Sequence, residues 1–345
     1  MSTYALISDL PLTIEGHALE RLEHQVSNEF TRVTTVVRLR GDGEEGLGED
    51  VIYNPEDHER FRAPGAALPL GGEWTIDSFA RHLDGLELFP EPPAMEAFRD
   101  YRRWAFESAA LDLALRQARR SLAEAVERTP RPVRFVVSTR ASVDALRELL
   151  AVHPGTRFKL DPVPEWTPEL VDKLSATGLV DTLDLKGQYQ GTVVDNPADP
   201  FLYRLVAEGF PNAWIEDPAL TPETEAVLEP HRDRITWDAP IHSVADVEAL
   251  PFPPRTINIK PSRFGSLQRL FETYDYCAER GIGMYGGGQF ELGVGRGQIE
   301  YLASVFHPDS PNDVAPAGYN LSPLDRELPE SPLAPAVDST GFRWG

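Results

Sequence analysis

An α/β architecture, a modified (β/α) TIM-type barrel behind an N-terminal α+β capping domain, is the fold class this sequence predicts. Three observations carry it. The length of 345 residues exceeds what one small core needs and suits two domains or one large barrel. The chain is punctuated at Pro130-Arg131-Pro132, where the residue pattern changes. Beyond that point short apolar runs alternate regularly with helix-like runs at about 25-residue spacing, as a parallel sheet covered by crossover helices requires. These signals divide the chain into a capping domain over 1–128, a barrel over 129–320, and a tail over 321–345 that returns to the cap.

In the cap, an amphipathic-looking start is followed by apolar runs at 33–39 and 46–53. The turn Gly41-Asp42-Gly43 joins them, which predicts a hairpin. Residues 60–93 are rich in Gly and Pro; 94–128 are helix-like, with Trp104, Ser108, Leu111, Leu115 and Ala118 at helical spacing. In the barrel, seven strands are expected at 133–138, 157–160, 182–185, 213–215, 234–237, 256–259 and 283–285, with an eighth at 314–318. Helices are expected at 143–152, 168–176, 201–208, 223–230, 244–250, 267–280 and 298–306. A doubly wound open sheet is the competing arrangement, but Ser138-Thr139-Arg140-Ala141 lacks the glycines of its phosphate-binding turn.

Composition bounds the partners. Thirty-three Lys plus Arg against 55 Asp plus Glu give a net charge of -22, which repels phosphate backbones and anionic lipid, so neither nucleic acid nor a membrane is expected as a partner. Cys277 alone can form neither an internal disulfide nor a cysteine zinc site. Residues 1–14 show no basic stretch followed by an apolar run, so a reducing, cytoplasmic location is the expectation. Self-association into a homo-oligomer is compatible with these residues and not specified by them.

Only Lys159, Lys173, Lys186 and Lys260 are lysines, so arginine has replaced lysine almost everywhere else. Lys173 belongs to a helix-like stretch and reads as a solvated residue, whereas the other three fall in apolar, strand-like runs. Desolvation and neighbouring cations pull such an ammonium toward neutrality, which suits proton transfer; a structural ion pair is the alternative. Each strand, as drawn, ends in polar residues: Lys159 with Asp161, Asp184 with Lys186, Glu216 with Asp217, then Asp238, then Lys260. Active sites of such barrels gather at that end. Asp184, Glu216 and Asp238 would place hard oxygen ligands around one point, the chemistry of magnesium, with the amines of Lys159 and Lys260 on either side. One metal flanked by two amines suits enolate formation from a carboxylate substrate.

The strand motifs Phe158-Lys159-Leu160, Leu183-Asp184-Leu185, Trp214-Ile215-Glu216-Asp217-Pro218, Trp237-Asp238 and Ile257-Asn258-Ile259-Lys260-Pro261 resemble those of the enolase superfamily, nearest its muconate lactonizing enzyme (mandelate racemase/muconate cycloisomerase) subgroup. Val36-Val37-Arg38-Leu39 with Gly46-Leu47-Gly48-Glu49 resembles the family's capping hairpin. Residues 105–114 with Asp112 resemble the helix leading to the barrel, and Gly286-Gly287-Gly288-Gln289-Phe290-Glu291 its seventh-strand loop. The resemblance implies magnesium held by Asp184, Glu216 and Asp238, proton abstraction next to a carboxylate, and substrate contact from Glu291.

Three positions depart from the subgroup's pattern. Its second strand carries Lys-x-Lys where this chain has Lys159 and Asp161; its third carries Asp-x-Asn where Lys186 follows Asp184; and Asp238 of the fifth strand precedes Ala239 rather than a second acid. Lys186 is therefore expected to compensate for the missing lysine, pairing with Asp161 or facing substrate as an acid or base. Lys260 is the expected base and Lys159 the cation that holds a carboxylate. The function expected is a magnesium-dependent lyase or isomerase of cycloisomerase, dehydratase or epimerase type acting on a small carboxylate. A noncatalytic or repurposed carboxylate-binding member is the alternative.

The remaining signals are weaker. Gly281-x-Gly283-x-x-Gly286 fits a dinucleotide fingerprint only on paper, because it precedes a strand rather than joining strand to helix. The eight histidines lack metal-ligand spacing, and Trp214 and Trp237 read as core. Specificity is expected from loops around 16–28 and 55–70 together with the eighth-strand end, which carry no recognisable code.

Overall fold

The cap is built on a meander whose tight reversal, Asp42-Gly43, takes φ of 51° and 76°. The computed structural model describes residues 2–26, 30–63, 68–140, 142–189, 194–320 and 326–344. Strand β1 (Pro11–Ile14) is followed by β2 (Gly16–Gln25), β3 (Thr31–Gly41) and β4 (Glu44–Asp50), the last three forming an antiparallel sheet in the order β2-β3-β4. Helix α1 (Pro55–Arg62), strand β5 (Gly72–Thr75), helix α2 (Ile76–Asp84), the long helix α3 (Phe98–Gln117) and the short α4 (Leu122–Ala125) complete it, with β5 antiparallel to β1. Gly46 and Gly48 lie against α3 so closely that a Cβ at either would strike the carbonyl oxygens of Ala109 and Ala105. Small residues on both partners thus let sheet and helix meet at backbone distance.

The barrel strands are β6 (Val137–Thr139), β7 (Phe158–Leu160), β8 (Val180–Asp184), β9 (Trp214–Glu216), β10 (Ile235–Thr236), β11 (Thr256–Ile259) and β12 (Gly283–Gly286). Strands β6 to β10 pair in parallel in sequential order, and β11 pairs in parallel with β12. The bond from Asn258 N to Trp237 O (2.9 Å) carries the ring from β10 to β11. Isolated parallel bridges, Phe135 to Asn312 and Gly287 to Asp313, place residues 312–313 between the first and seventh strands. The eighth strand expected at 314–318 is therefore absent: closure falls on two single-residue bridges just before it, and Ala317–Asn320 is a 3₁₀ turn.

Outside the ring run α5 (Val143–Val152), α6 (Pro168–Ser175), α7 (Pro200–Gly209), α8 (Pro222–Leu228), α9 (Val244–Glu248), the one-turn α10 (Pro261–Phe264), α11 (Leu267–Arg280) and α12 (Val294–Phe306). Ser142, Thr167, Asp199, Thr221, Ser243 and Ser266 each cap a helix by accepting an N–H of its first turn, worth about 1 kcal/mol apiece. Helix α12 begins at Gly293, which has no side chain to do this. Glu49 of the cap substitutes, accepting from the amides of Leu292, Gly293 and Gly295. Arg32, also of the cap, donates to the carbonyls of Val51, Ile52, Gln289 and Phe290. Cap and seventh-strand loop are thereby held together. The tail reaches the same side: Asp112 accepts from Phe342 N and Arg343 Nε.

Two further expectations change. Residues 16–25 are a strand rather than a loop, and 55–62 a helix; residues 27–28, 64–67, 141, 321–325 and 345 lie outside the described residues. Trp237 is core, but Trp214 is only half-buried. No helix among the described residues is long and apolar enough to cross a membrane.

Candidate active site

Parallel register brings the strand ends together: Asp184 stands opposite Glu216, and Glu216 opposite Thr236, two residues before Asp238 on the same face. A ligand oxygen from each of Asp184, Glu216 and Asp238 lies within 4.8 Å of the others, and all three residues are fully buried. Two oxygens on opposite sides of an octahedral ion at ~2.1 Å would be ~4.2 Å apart, so this group closes on a divalent cation with sub-ångström movement. An all-carboxylate donor set also suits a hard cation.

Protein donors meet every oxygen of the three. Asp184 Oδ1 accepts the Lys186 amide (3.1 Å), and Oδ2 accepts the Lys186 ammonium with Lys159 Nζ at 3.1 Å. Glu216 Oε1 accepts from Lys159, and Oε2 from the Tyr285 hydroxyl and Asn258 Nδ2. Asp238 Oδ1 accepts from Arg263 Nη1 (2.7 Å); Oδ2 accepts from the Tyr189 hydroxyl (2.9 Å) and faces Lys260 Nζ at 2.9 Å. Lys159 therefore lies against Asp184 and Glu216, and Lys260 against Asp238, so the two amines flank the carboxylates from different strands.

The backbone supports this placement. Lys186 and Asp217 take the left-handed conformation, φ 56° and 49°, at a cost of about 1 kcal/mol or more each. For Asp217 the reason is visible: its carboxylate accepts the amides of Asp238 and Ala239, both at 2.8 Å, and fixes the end of β10. For Lys186 the turn aims both its amide and its ammonium at Asp184. Gly287 leaves room for the lysine stem, since a Cβ there would lie 2.9 Å from Lys260 Cε.

Electrostatics sets the charge of the buried lysines and their carboxylates. Burial alone would push Lys159 toward neutrality, but Glu216, Asp184 and Asp313 outweigh it and hold the ammonium well above the ordinary lysine range. Lys186 moves up for the same reason, burial being overcome chiefly by Asp184. Against their own burial, Lys186 and Lys159 hold Asp184 far below the carboxylate range, and Arg263 and Lys260 do so for Asp238. Asp217 is pushed up to about 7 by burial and by the charges of Asp238 and Asp184.

The other expected residues lie to the sides. Asp161, at the end of β7, pairs with Arg140 through Oδ2 (2.8 Å), while its Oδ1 is 3.9 Å from Lys186 Nζ and makes no hydrogen bond. Lys186 is thus seated on Asp184 rather than on Asp161. Glu291 is buried in the seventh-strand loop, accepting from Gln289 N (2.6 Å) with Arg296 at 3.4 Å, and its described partners do not include the three carboxylates or their lysines. Sequence reasoning passes over Tyr189, Asn258, Arg263, Tyr285 and Asp313. Arg263, three residues after Lys260 on the one-turn helix α10, carries no local signal, being one arginine among many.

The chain matches the models for both halves of one family, the N-terminal domain of DUF8230, a domain of unknown function, over residues 5–125 and its C-terminal domain over 129–321. It is 27% identical over 239 residues to an N-succinylamino acid racemase of Amycolatopsis sp., the match covering 65% of this chain and 63% of the racemase. It is 38% identical over 61 residues to an o-succinylbenzoate synthase of Bacillus subtilis, covering 18% of this chain and 16% of the synthase. These relatives are enzymes, and the chain matches less than two thirds of their length. Among solved structures, it is similar to a dipeptide epimerase from Enterococcus faecalis (TM-score 0.68, 15% identity, 96% of this chain and 99% of that one). It is also similar to a muconate cycloisomerase from Pseudomonas fluorescens (0.65, 18%, 97% and 96%). A member of the enolase superfamily from Listeria innocua gives 0.62, at 20% identity over 88% and 86%.

Proposed function

Taking as premise that the chain belongs to the DUF8230 family and has the fold of the enolase superfamily, we propose that it is a magnesium-dependent lyase or isomerase that removes the α-proton of a small carboxylate. The observation that carries this reading is the meeting of Asp184, Glu216 and Asp238 within 4.8 Å, with the amines of Lys159 and Lys260 on their flanks. These carboxylates would hold the ion, which when bound supplies positive charge to a substrate carboxylate. Lys159, kept charged by its neighbours, is the fixed cation beside that position. Lys260 has the flexible stem and the position to take a proton and return it, and Lys186 is the second amine, on the third strand, for a second strand that ends in Asp161. Glu291, whose Oε2 makes no hydrogen bond, is proposed to touch substrate from the seventh-strand loop.

The names of the relatives make N-succinylated amino acids the first substrates to try. In D₂O with magnesium, proton NMR should show loss of the α-proton signal from such a compound, suppressed by EDTA. In Lys260→Ala the exchange should fall about 100-fold or more. No exchange across a panel of N-acyl amino acids and muconate-like diacids would count against the reading. A carboxylate-binding protein without turnover is favoured by one observation, that all six oxygens of the three carboxylates are already met by protein donors. It predicts ligand binding with no exchange.

A further inference from the structure

We propose that Lys186 is a two-seat amine: it competes with a divalent cation for Asp184 and, when the cation takes that carboxylate, moves to Asp161. This rests on the reading that Asp184, Glu216 and Asp238 hold such a cation. Asp184 Oδ2 faces two ammonium groups at once, those of Lys186 and Lys159. A dication on the same carboxylate adds further positive charge within a few ångströms, where attraction and repulsion are screened far less than in water. One amine must yield.

The surroundings decide which. Lys159 is 1% exposed and is held by Glu216 as well as Asp184, with Asp313 at 3.6 Å, so three carboxylates keep it in place. Lys186 is less enclosed and has a second acceptor ready. Asp161 Oδ1 is buried, makes no hydrogen bond, and lies 3.9 Å from Lys186 Nζ. Closing that gap to a charge-assisted bond takes a movement of about 1 Å. The backbone need not follow, because the amides of Lys186 and Gly187 are fixed to Asp184 Oδ1 (3.1 Å) and Asp217 O (2.9 Å). Only side-chain torsions change, and the amine goes over to the end of β7. Asp161 supplies the seat, while Arg140 on its other oxygen keeps the carboxylate in place.

The test is Mn²⁺ alone, titrated into the full chain and followed by the EPR signal of the free ion. Lys186→Met should bind Mn²⁺ about tenfold more tightly than the unmodified chain, because the internal competitor is gone. Asp161→Asn should weaken binding about threefold or more in the unmodified chain, since the displaced ammonium then has no seat, and should change nothing in the Lys186→Met background. Thermal melts establish that each variant is folded, and Lys186→Gln serves the same purpose if the methionine variant is not. Equal or weaker Mn²⁺ binding on loss of Lys186, the same Asp161→Asn effect in both backgrounds, or no Mn²⁺ binding to any form would overturn the proposal. The readout is occupancy by the ion, whereas the proposed reaction fails or stands on α-proton exchange, so the two failures are separable.

Discussion

The Tyr189 hydroxyl donates to Asp238 Oδ2 at 2.9 Å while accepting from Arg263 Nη2 at 2.8 Å. It links a carboxylate from the end of the fifth strand to a guanidinium on the short helix after the sixth, and so orients Asp238 toward Asp184 and Glu216. Groups that orient a metal-binding carboxylate are worth 10- to 100-fold in affinity. Tyr189→Phe keeps the ring, which lies 5.3 Å from Lys186 Nζ, and removes the hydroxyl alone. Mn²⁺ binding to this variant should weaken by about tenfold with little change in thermal stability; unchanged affinity would mean that Arg263 and Lys260 orient Asp238 without it.

His307 gives the chain an acid-side weakness. Asn312 Oδ1 accepts both Gly286 N (2.6 Å) and His307 Nδ1 (2.7 Å), which requires the Nδ1–H form of the ring. Burial lowers the His307 pKa to about 4 from 6.5, more than the bond to Asn312 raises it. The folded-state value is depressed, so the unfolded chain takes the proton first as pH falls. Stability is full above about 6.5 and is lost toward about 4, at up to about 1.4 kcal/mol per pH unit. Asp217 and Glu300, both pushed up to about 7 chiefly by burial, act with the opposite sign in part of this window. The comparison is therefore with His307→Gln, in which those contributions cancel. Melts between pH 7 and 4 should show the stability of the unmodified chain falling relative to that of the variant; parallel curves would refute the assignment.

Self-repulsion should make stability salt-dependent. The net charge is -22, and many arginines sit in exposed pairs such as Arg21 with Glu23 and Arg60 with Glu56. Salt weakens both the repulsion and the pairs. Exposed pairs contribute about 0–1 kcal/mol each, so the unbalanced acidic charge should dominate. Raising KCl from ~0.1 M to ~1 M shortens the screening length from about 10 Å to about 3 Å, and the melting temperature of metal-free protein should rise. A fall would mean the arginine pairs hold more of the stability than their exposure suggests.

Legibility in the sequence depends on what each residue contributes locally. Asp184, Glu216 and Asp238 were legible because each closes a short apolar run, and strand periodicity alone puts them at one end of the barrel. The strand at 16–25 was not, because its side chains are half-exposed or exposed along its whole length and no apolar face marks the period of two. The eighth strand failed for a related reason: single-residue bridges at Asn312 and Asp313 need no run of β-formers. Among the site residues, scarcity singled out the lysines, while Arg263 was hidden by the abundance of arginine elsewhere. Tyr189 and Tyr285 acquire their roles only through tertiary approach to Asp238 and Glu216. The source of the Lys159 charge was not legible either, since three carboxylates from three other segments converge on it.

Gly287 gives the sharpest link from one backbone position to the proposed chemistry. It follows β12, and its amide donates to Ile259 O at 3.2 Å, one residue before Lys260. The lysine stem therefore passes directly over a residue without a side chain. In Gly287→Ala the new methyl would sit 2.9 Å from Lys260 Cε and 3.0 Å from Asn258 Oδ1, both closer than van der Waals contact allows. The lysine end is flexible and will give way, so the cost in stability should be small, on the order of the 1–3 kcal/mol typical of local overpacking. The amine would be displaced by up to about 1 Å from its place beside Asp238, and a misplacement of that size can cost a reacting group about 100-fold. Gly287→Ala should thus lower α-proton exchange by about tenfold or more while a melt shows a folded protein and Mn²⁺ titration shows affinity within about threefold of the unmodified chain. Full exchange activity in this variant would mean that the position of the Lys260 amine does not limit proton transfer, and the base would have to be sought in Lys186.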